Sequence, residues 1–297
     1  MMEEYGEMFK NVPVITALVT PFTDADVVDY PALDALIERM LGEGVNGFLI
    51  AGTTGESPNL THAEKIALFT HVGRLLKWKD AVQVANVGSN STAASVALAK
   101  AASAIEGVDA LLAVTPYYNK PSQAGIKAHF TAIADASAVP VILYNIPGRV
   151  VVTIENDTLV ALAQHPQIGG VKQCTTLADI DYLVANTPDD FAVYTGEDGQ
   201  MLDTVRAHGS GVISVASHVY APEMLACLTA EAAGDFARAD ELMAMLQPKM
   251  NALFMFPSPE PVKMVLSRRG EIKGGMRLPM VPLTDAETQQ VLQVLDN

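Results

Sequence analysis

Basic residues are scarce in this chain: 19 lysines and arginines stand against 34 aspartates and glutamates, a formal net charge of -15. Nucleic acids and anionic membrane surfaces are bound through basic faces, so the balance argues against both as partners. Cysteine is scarcer still. Cys174 and Cys227 lie far apart without CxxC spacing, which leaves neither a disulfide framework nor a zinc motif. No apolar run is long enough to span a bilayer. The first residues carry Glu3, Glu4 and Glu7 and no apolar h-region, unlike a secretory signal, so the expected compartment is the cytoplasm. GxGxxG, Walker-type, HExxH and GxSxG patterns are all missing. The six histidines (His62, His71, His129, His165, His208 and His218) show no ligand spacing, so no metal is expected, and most are expected at the surface or in caps.

What the chain does have is core. Hydrophobic residues make up 49% and charged residues 18%, the balance of a globular protein with a sizeable interior. A length of 297 residues admits two average domains or one large barrel. Short apolar or β-branched runs alternate with helical patterns, the mark of βα units on a parallel sheet. Eight such runs are legible: Val14–Val19, Phe48–Ala51, Val82–Val87, Ala110–Val114, Val141–Tyr144, Ile168–Thr175, Phe191–Tyr194 and Gly211–Val215. The helix after the second opens at Thr61 with Glu64 three residues on, a capping box. Eight units in succession predict an α/β fold of the closed (β/α)8 TIM-barrel type over residues 1–233. Residues 234–297, with helical patterns at Phe236–Phe254, Val262–Arg268 and Asp285–Leu295, read as a C-terminal helical extension packed on the barrel.

Barrels of this kind carry chemistry at the C-terminal ends of their strands. The apolar part of the sixth run ends on Lys172. A lysine on a strand that reads as buried either reaches out to water or loses its charge, and a neutral amine attacks carbonyl carbon. Both readings fit that stretch alone. After the second run, Gly52-Thr53-Thr54-Gly55-Glu56-Ser57 can aim N–H groups and hydroxyls at a carboxylate. Tyr117 and Tyr118 follow the fourth run and Tyr144 ends the fifth; a phenol near a neutral lysine can relay protons, and Arg149 can hold a carboxylate. Cys174, on the same side of an extended strand as Lys172, reads as a small filler.

Taken together, GTTGES at 52–57, TPYYNKPSQ at 115–123, LYNIPGR at 143–149, GVK at 170–172, GVISV at 211–215 and RLPMVPLT at 277–284 carry a specific likeness. From about Val14 to Leu295 the sequence resembles the class I, pyruvate-dependent aldolase superfamily, and within it the dihydrodipicolinate synthase family. The resemblance implies an imine between Lys172 and pyruvate, Tyr144 as proton shuttle, and a relay through Thr53 to Tyr118 of a neighbouring subunit. It further implies that Thr53 and Thr54 hold the pyruvate carboxylate, that Arg149 binds L-aspartate 4-semialdehyde, and that Gly196 and the backbone of Ile213 line the pocket. No cofactor is implied, and the implied assembly is a homotetramer, a dimer of dimers. Relatives such as N-acetylneuraminate lyase and 2-keto-3-deoxy sugar acid aldolases would share Lys172 and Tyr144; Arg149 favours the synthase. A different class, a silent barrel acting as a binding protein, fits the fold but not the set of polar residues. Val150, Val151 and Gln173 depart from the synthase pattern. Where lysine-regulated members bind lysine, His62, Asn90 and Tyr117 match while Lys65 and Ala94 do not, so weak or absent inhibition by lysine is expected.

Overall fold

The computed structural model describes residues 8, 9 and 11–296; the acidic segment with Glu3, Glu4 and Glu7 lies outside them. Eight parallel strands, β1 (Val14–Ala17), β2 (Gly47–Ile50), β3 (Val82–Asn86), β4 (Ala110–Val114), β5 (Val141–Asn145), β6 (Ile168–Gln173), β7 (Ala192–Thr195) and β8 (Gly211–Ser214), form a closed barrel in chain order. The helices between and after them are α1 (Tyr30–Gly42), α2 (His62–Leu76), α3 (Thr92–Ala102), α4 (Gln123–Asp135), α5 (Pro147–Val150), α6 (Asn156–Leu162), α7 (Leu177–Asn186) and α8 (Met201–Arg206). Four more complete the chain: α9 (Ser217–Ala232), α10 (Phe236–Ala252), α11 (Glu260–Arg268) and α12 (Asp285–Leu295).

The strands alternate with period two, and the alternation sorts side chains into two cores. Ile15, Leu49, Val84, Leu112, Ile142 and Ile213 fill the barrel. Val14, Phe48, Leu143 and Val171 face the helices and share that outer core with Phe69 of α2 and Phe130 of α4. Full burial of each such side chain stabilises the fold by roughly 1.5–3 kcal/mol. On β6 the phase is set by glycine. Val141 pairs with Ile168 but Ile142 pairs with Gly170, so Gly169 is the extra residue of a bulge. A Cβ on Gly170 would lie 2.5 Å from the Ala192 carbonyl oxygen, so glycine permits the approach of β7. Beyond the bulge Val171 packs outward and Lys172 turns into the barrel.

The opposite end of the barrel is sealed. Tyr194, fully buried, shares its hydroxyl between the carbonyl oxygens of Phe9 at 3.1 Å and Val12 at 2.9 Å, and the Phe9 ring meets it edge-on. Helix caps follow the sequence: the Thr61 side chain accepts the Glu64 N–H and Glu64 accepts that of Thr61, and Thr176 with Asp179 and Thr284 with Glu287 repeat the arrangement.

Helix α9 begins at Ser217 and kinks at Tyr220, so Pro222 falls in the first turn after the kink, where its missing N–H costs little. The Pro-Gly pair at 147–148 opens the single-turn helix α5. His129 and His218 are buried: the His218 imidazole donates from Nδ1 to the Val215 carbonyl at 2.8 Å and accepts the Val19 N–H on Nε2 at 3.1 Å. In the C-terminal extension, α10 packs along α9, and α12 along α10. No helix among the described residues is long and apolar enough to cross a membrane.

Candidate active site

At the C-terminal mouth of the barrel a cavity of about 130 Å³ is walled by Thr53, Thr54, Tyr144, Arg149, Lys172, Gly196, Glu197 and Val215, with Phe254 and Ser258 from the C-terminal extension. β5 and β6 bring its centre together. Tyr144 and Lys172 are register partners, and Lys172 is in turn the partner of Tyr194 on β7. The Lys172 Nζ lies 4.5 Å from the centre of the Tyr144 ring, and the phenol is one of the groups that favour its charged form. Thr53 and Cys174 are the phenol's further polar neighbours, and both influence its titration. Lys172 is 6% exposed and its side chain lines the cavity, so the alternative of a strand-end lysine running out to bulk solvent fails.

The electrostatics correct one expectation. Burial draws Lys172 toward its neutral form, but the Tyr144 phenol, the Cys174 thiol and the Asp198 carboxyl all face it, and together they hold its pKa above the ordinary lysine value. Burial raises the Tyr144 pKa as well, against the pull of Lys172, and lifts Cys174 to about 11. The resting pair therefore keeps its protons. Attack on a carbonyl has to begin with proton transfer away from Lys172, and Tyr144, with Thr53 on the same cavity wall, is the group placed to relay it.

The Thr53–Thr54 loop is built to a tight tolerance. Ala51 and Glu56 adopt left-handed backbone at φ 54 and 57, strain of the kind found at ligand clamps. Asn86, at the end of β3, donates to the Ala51 carbonyl and the Ser57 hydroxyl at 2.8 Å each, and the Thr20 hydroxyl donates to the Gly55 carbonyl at 2.7 Å. Thr54 is buried and Thr53 half-buried beside it. Gly196 is required by space: a Cβ there would stand 2.2 Å from the Cys174 sulfur and 2.5 Å from Lys172 Cε. Arg149 rides on α5, exposed at the rim, and also lines a larger outer cleft of about 370 Å³ that shares the Thr53, Tyr144 and Ile146 wall.

Residues 10–297 match the dihydrodipicolinate synthetase family. The chain belongs to that family. The 4-hydroxy-tetrahydrodipicolinate synthase of Limosilactobacillus fermentum is 52% identical, over 96% of this chain and 91% of that protein. Among solved structures, dihydrodipicolinate synthase from Bacillus anthracis superposes with a TM-score of 0.93 at 41% identity, covering 96% of this chain and 98% of that one. The chloride-inhibited enzyme from Acinetobacter baumannii, solved with pyruvate, gives 0.92 at 35%, covering 96% and 98%.

Two residues singled out in the sequence stand apart from the cavity in this family member. Tyr118 is 87% exposed at φ 74 on the loop after β4 and does not line its own chain's pocket. Ile213 packs in the layer below, paired with Ile15, and Val215 forms the wall above it. Of the departures from the family pattern, Gln173 is buried and its side-chain oxygen accepts the Asn145 amide at 3.0 Å; a neutral amide suits that dry site. Val150 lines the outer cleft, and Val151 is exposed. Sequence reading missed Asp198, fully buried with Oδ2 accepting the N–H groups of Val215 and Ala216 at 3.2 and 2.9 Å. The turn Gly196-Glu197-Asp198 after β7 was its only signal. Among the described residues no group of acidic, histidine and cysteine side chains forms a metal cage.

Proposed function

We propose that the chain is a Schiff-base lyase that condenses pyruvate with L-aspartate 4-semialdehyde to give 4-hydroxy-tetrahydrodipicolinate, the reaction of lysine and diaminopimelate biosynthesis. The single observation that carries the mechanism is the buried Lys172 held against the Tyr144 ring, its register partner, at the mouth of the barrel. The near-full-length likeness to proteins named for this activity supports the substrate pair.

In this reading Thr53 and Thr54 hold the pyruvate carboxylate. Tyr144 takes a proton from Lys172 as it hands its own on through Thr53 and the neighbouring subunit's Tyr118 to solvent; the neutral amine adds to the keto carbon, and loss of water leaves the imine. The cationic imine draws electrons from the methyl group, so a proton leaves carbon 3 and an enamine forms. Enamine carbon 3 attacks the aldehyde carbon of the semialdehyde, whose carboxylate sits on Arg149. The amino group of the second substrate then adds to the imine carbon, closing the ring and freeing Lys172. The imine itself is the electron sink, so the scheme calls for no cofactor or metal. Gly196 leaves the space in which the lysine swings, and Val215 takes the wall position above Ile213.

The exposed Tyr118 fits a homotetramer of two tight dimers in which each subunit lends this tyrosine to its neighbour's relay. Sedimentation at working concentration is expected to give four chains; a monomer would overturn the exchange. The cytoplasm is the compartment such a biosynthetic role implies. Lys65, half-buried in the outer cleft with its pKa lowered by burial, opposes a cationic effector, so weak or absent inhibition by lysine is expected.

The test is aldehyde choice. Pyruvate with aspartate semialdehyde is expected to turn over at least about 100-fold faster than pyruvate with N-acetylmannosamine or glyceraldehyde. No turnover with the semialdehyde would contradict the reading.

A further inference from the structure

An ion pair that takes no part in the proposed chemistry lies directly under the Thr53–Thr54 loop. Glu56 and Lys263 are 207 positions apart. Their side chains are each 1% exposed, with Nζ and Oε1 at 2.5 Å. Each has a second anchor. Lys263 Nζ donates to the Gly275 carbonyl at 3.0 Å and lies 4.5 Å over the Phe22 ring, and Glu56 Oε2 accepts the Arg277 N–H at 2.9 Å. Arg277 in turn grips Glu64, Asp26 and the Asn59 carbonyl.

The pair joins two parts of the cavity that are remote in sequence. Glu56 closes the turn that carries both threonines, its N–H donating to the Thr53 carbonyl at 3.0 Å, and does so from a left-handed conformation that a non-glycine residue holds only under constraint. Lys263 belongs to α11, and the segment leading into that helix supplies Phe254 and Ser258 to the cavity wall. Placing two opposite charges in a dry site stabilises little, because desolvation offsets their attraction, and apolar pairs of similar volume often replace them at no cost. Geometry is another matter, since the ammonium and carboxylate tolerate small displacements poorly once water is gone.

We propose that Glu56 and Lys263 are positioning residues for the reaction: their buried pair sets the carboxylate-binding loop in register with the wall that the C-terminal extension contributes. The inference rests on the reading of Thr53 and Thr54 as the pyruvate carboxylate's seat. It makes the extension a working part of the pocket, with Lys263 acting through Glu56 and never touching substrate.

The experiment compares pyruvate KM, kcat and the unfolding midpoint in the full-length wild type and two variants. The double substitution Glu56→Leu with Lys263→Met removes both charges and keeps the volume; Glu56→Asp keeps the charges but withdraws the carboxylate by one methylene. In each, the expected result is a pyruvate KM raised about tenfold or more with kcat changed by less than about threefold, and a Tm within roughly 5 °C of wild type. If the double variant does not fold, Glu56→Asp carries the same readout. A wild-type pyruvate KM in either folded variant overturns the positioning role, as does a loss of kcat that merely follows Tm with KM intact. Borohydride reduction of the wild type with pyruvate runs alongside: label on Lys172 leaves a negative result to count against the pair alone, and no label counts against the parent reading.

Discussion

Lys172 is flanked in register by two buried tyrosines, Tyr144 on β5 and Tyr194 on β7, and they do different work. Both point into the barrel, and burial raises the pKa of both. Tyr194 spends its hydroxyl downward, on the Phe9 and Val12 carbonyls that seal the barrel floor. Tyr144 offers its hydroxyl upward to Lys172, Thr53 and Cys174 at the open mouth. Residue type, strand position and burial are shared, so the partner set alone separates a plug from a proton carrier. The same division runs through the whole barrel: apolar and closed below, polar and strained above.

Removing one hydroxyl at a time breaks the comparison most sharply. Tyr144→Phe is expected to lower kcat by about 100- to 10,000-fold, the usual contribution of a positioned acid–base group, while unfolding stays near wild type. Tyr194→Phe is expected to leave kcat within about threefold and to cost about 1–3 kcal/mol of stability, because two buried carbonyls lose their donor. Steady-state kinetics and thermal melts of both variants check the pair. A reversal of the two profiles would contradict the assignment of mouth and floor.

Gly196→Ala carries a smaller effect. Its methyl would invade the space of Lys172 Cε and the Cys174 sulfur, so kcat/KM for pyruvate is expected to fall about 10- to 100-fold. Wild-type kinetics in this variant would show that the lysine has more freedom than the structure gives it.

The smallest effect falls on stability alone. Burial lowers the His218 pKa to about 4. The unfolded chain binds that proton near the ordinary value of about 6.5, so stability is full above that pH and is lost as pH falls from about 6.5 to about 4, by roughly 3 kcal/mol at most. Denaturant unfolding across that range should show the slope, and His218→Gln should flatten it. His129, lowered to about 4 by burial as well, adds a parallel slope that the substitution leaves in place.

Much of this was legible in the chain itself. All eight strand positions were visible within two residues, because buried parallel strands are short apolar runs bounded by turn residues, and the Thr61–Glu64 capping box is a local pattern. Lys172, Tyr144, Arg149, Thr53 and Thr54 stood out as polar groups at strand ends, and the fold gathers them around one cavity. What stayed hidden depends on contacts between distant positions. Lys263 reads as one lysine on an amphipathic helix until Glu56 meets it across 207 residues. The inward turn of Lys172 depends on the bulge at Gly169, and the upward direction of its pKa on three facing groups; burial alone points the other way. His218 looks like a surface histidine because nothing local announces that Val19 and Val215 will close on it.

The most direct test of the central claim is borohydride reduction in the presence of pyruvate, followed by mass analysis of the peptides. The account predicts reduced pyruvate on Lys172 and nowhere else, with trapping that speeds up steadily from about pH 6 to about pH 9 as the raised Lys172 pKa is approached. Label on a different lysine, or no label at saturating pyruvate, would contradict it.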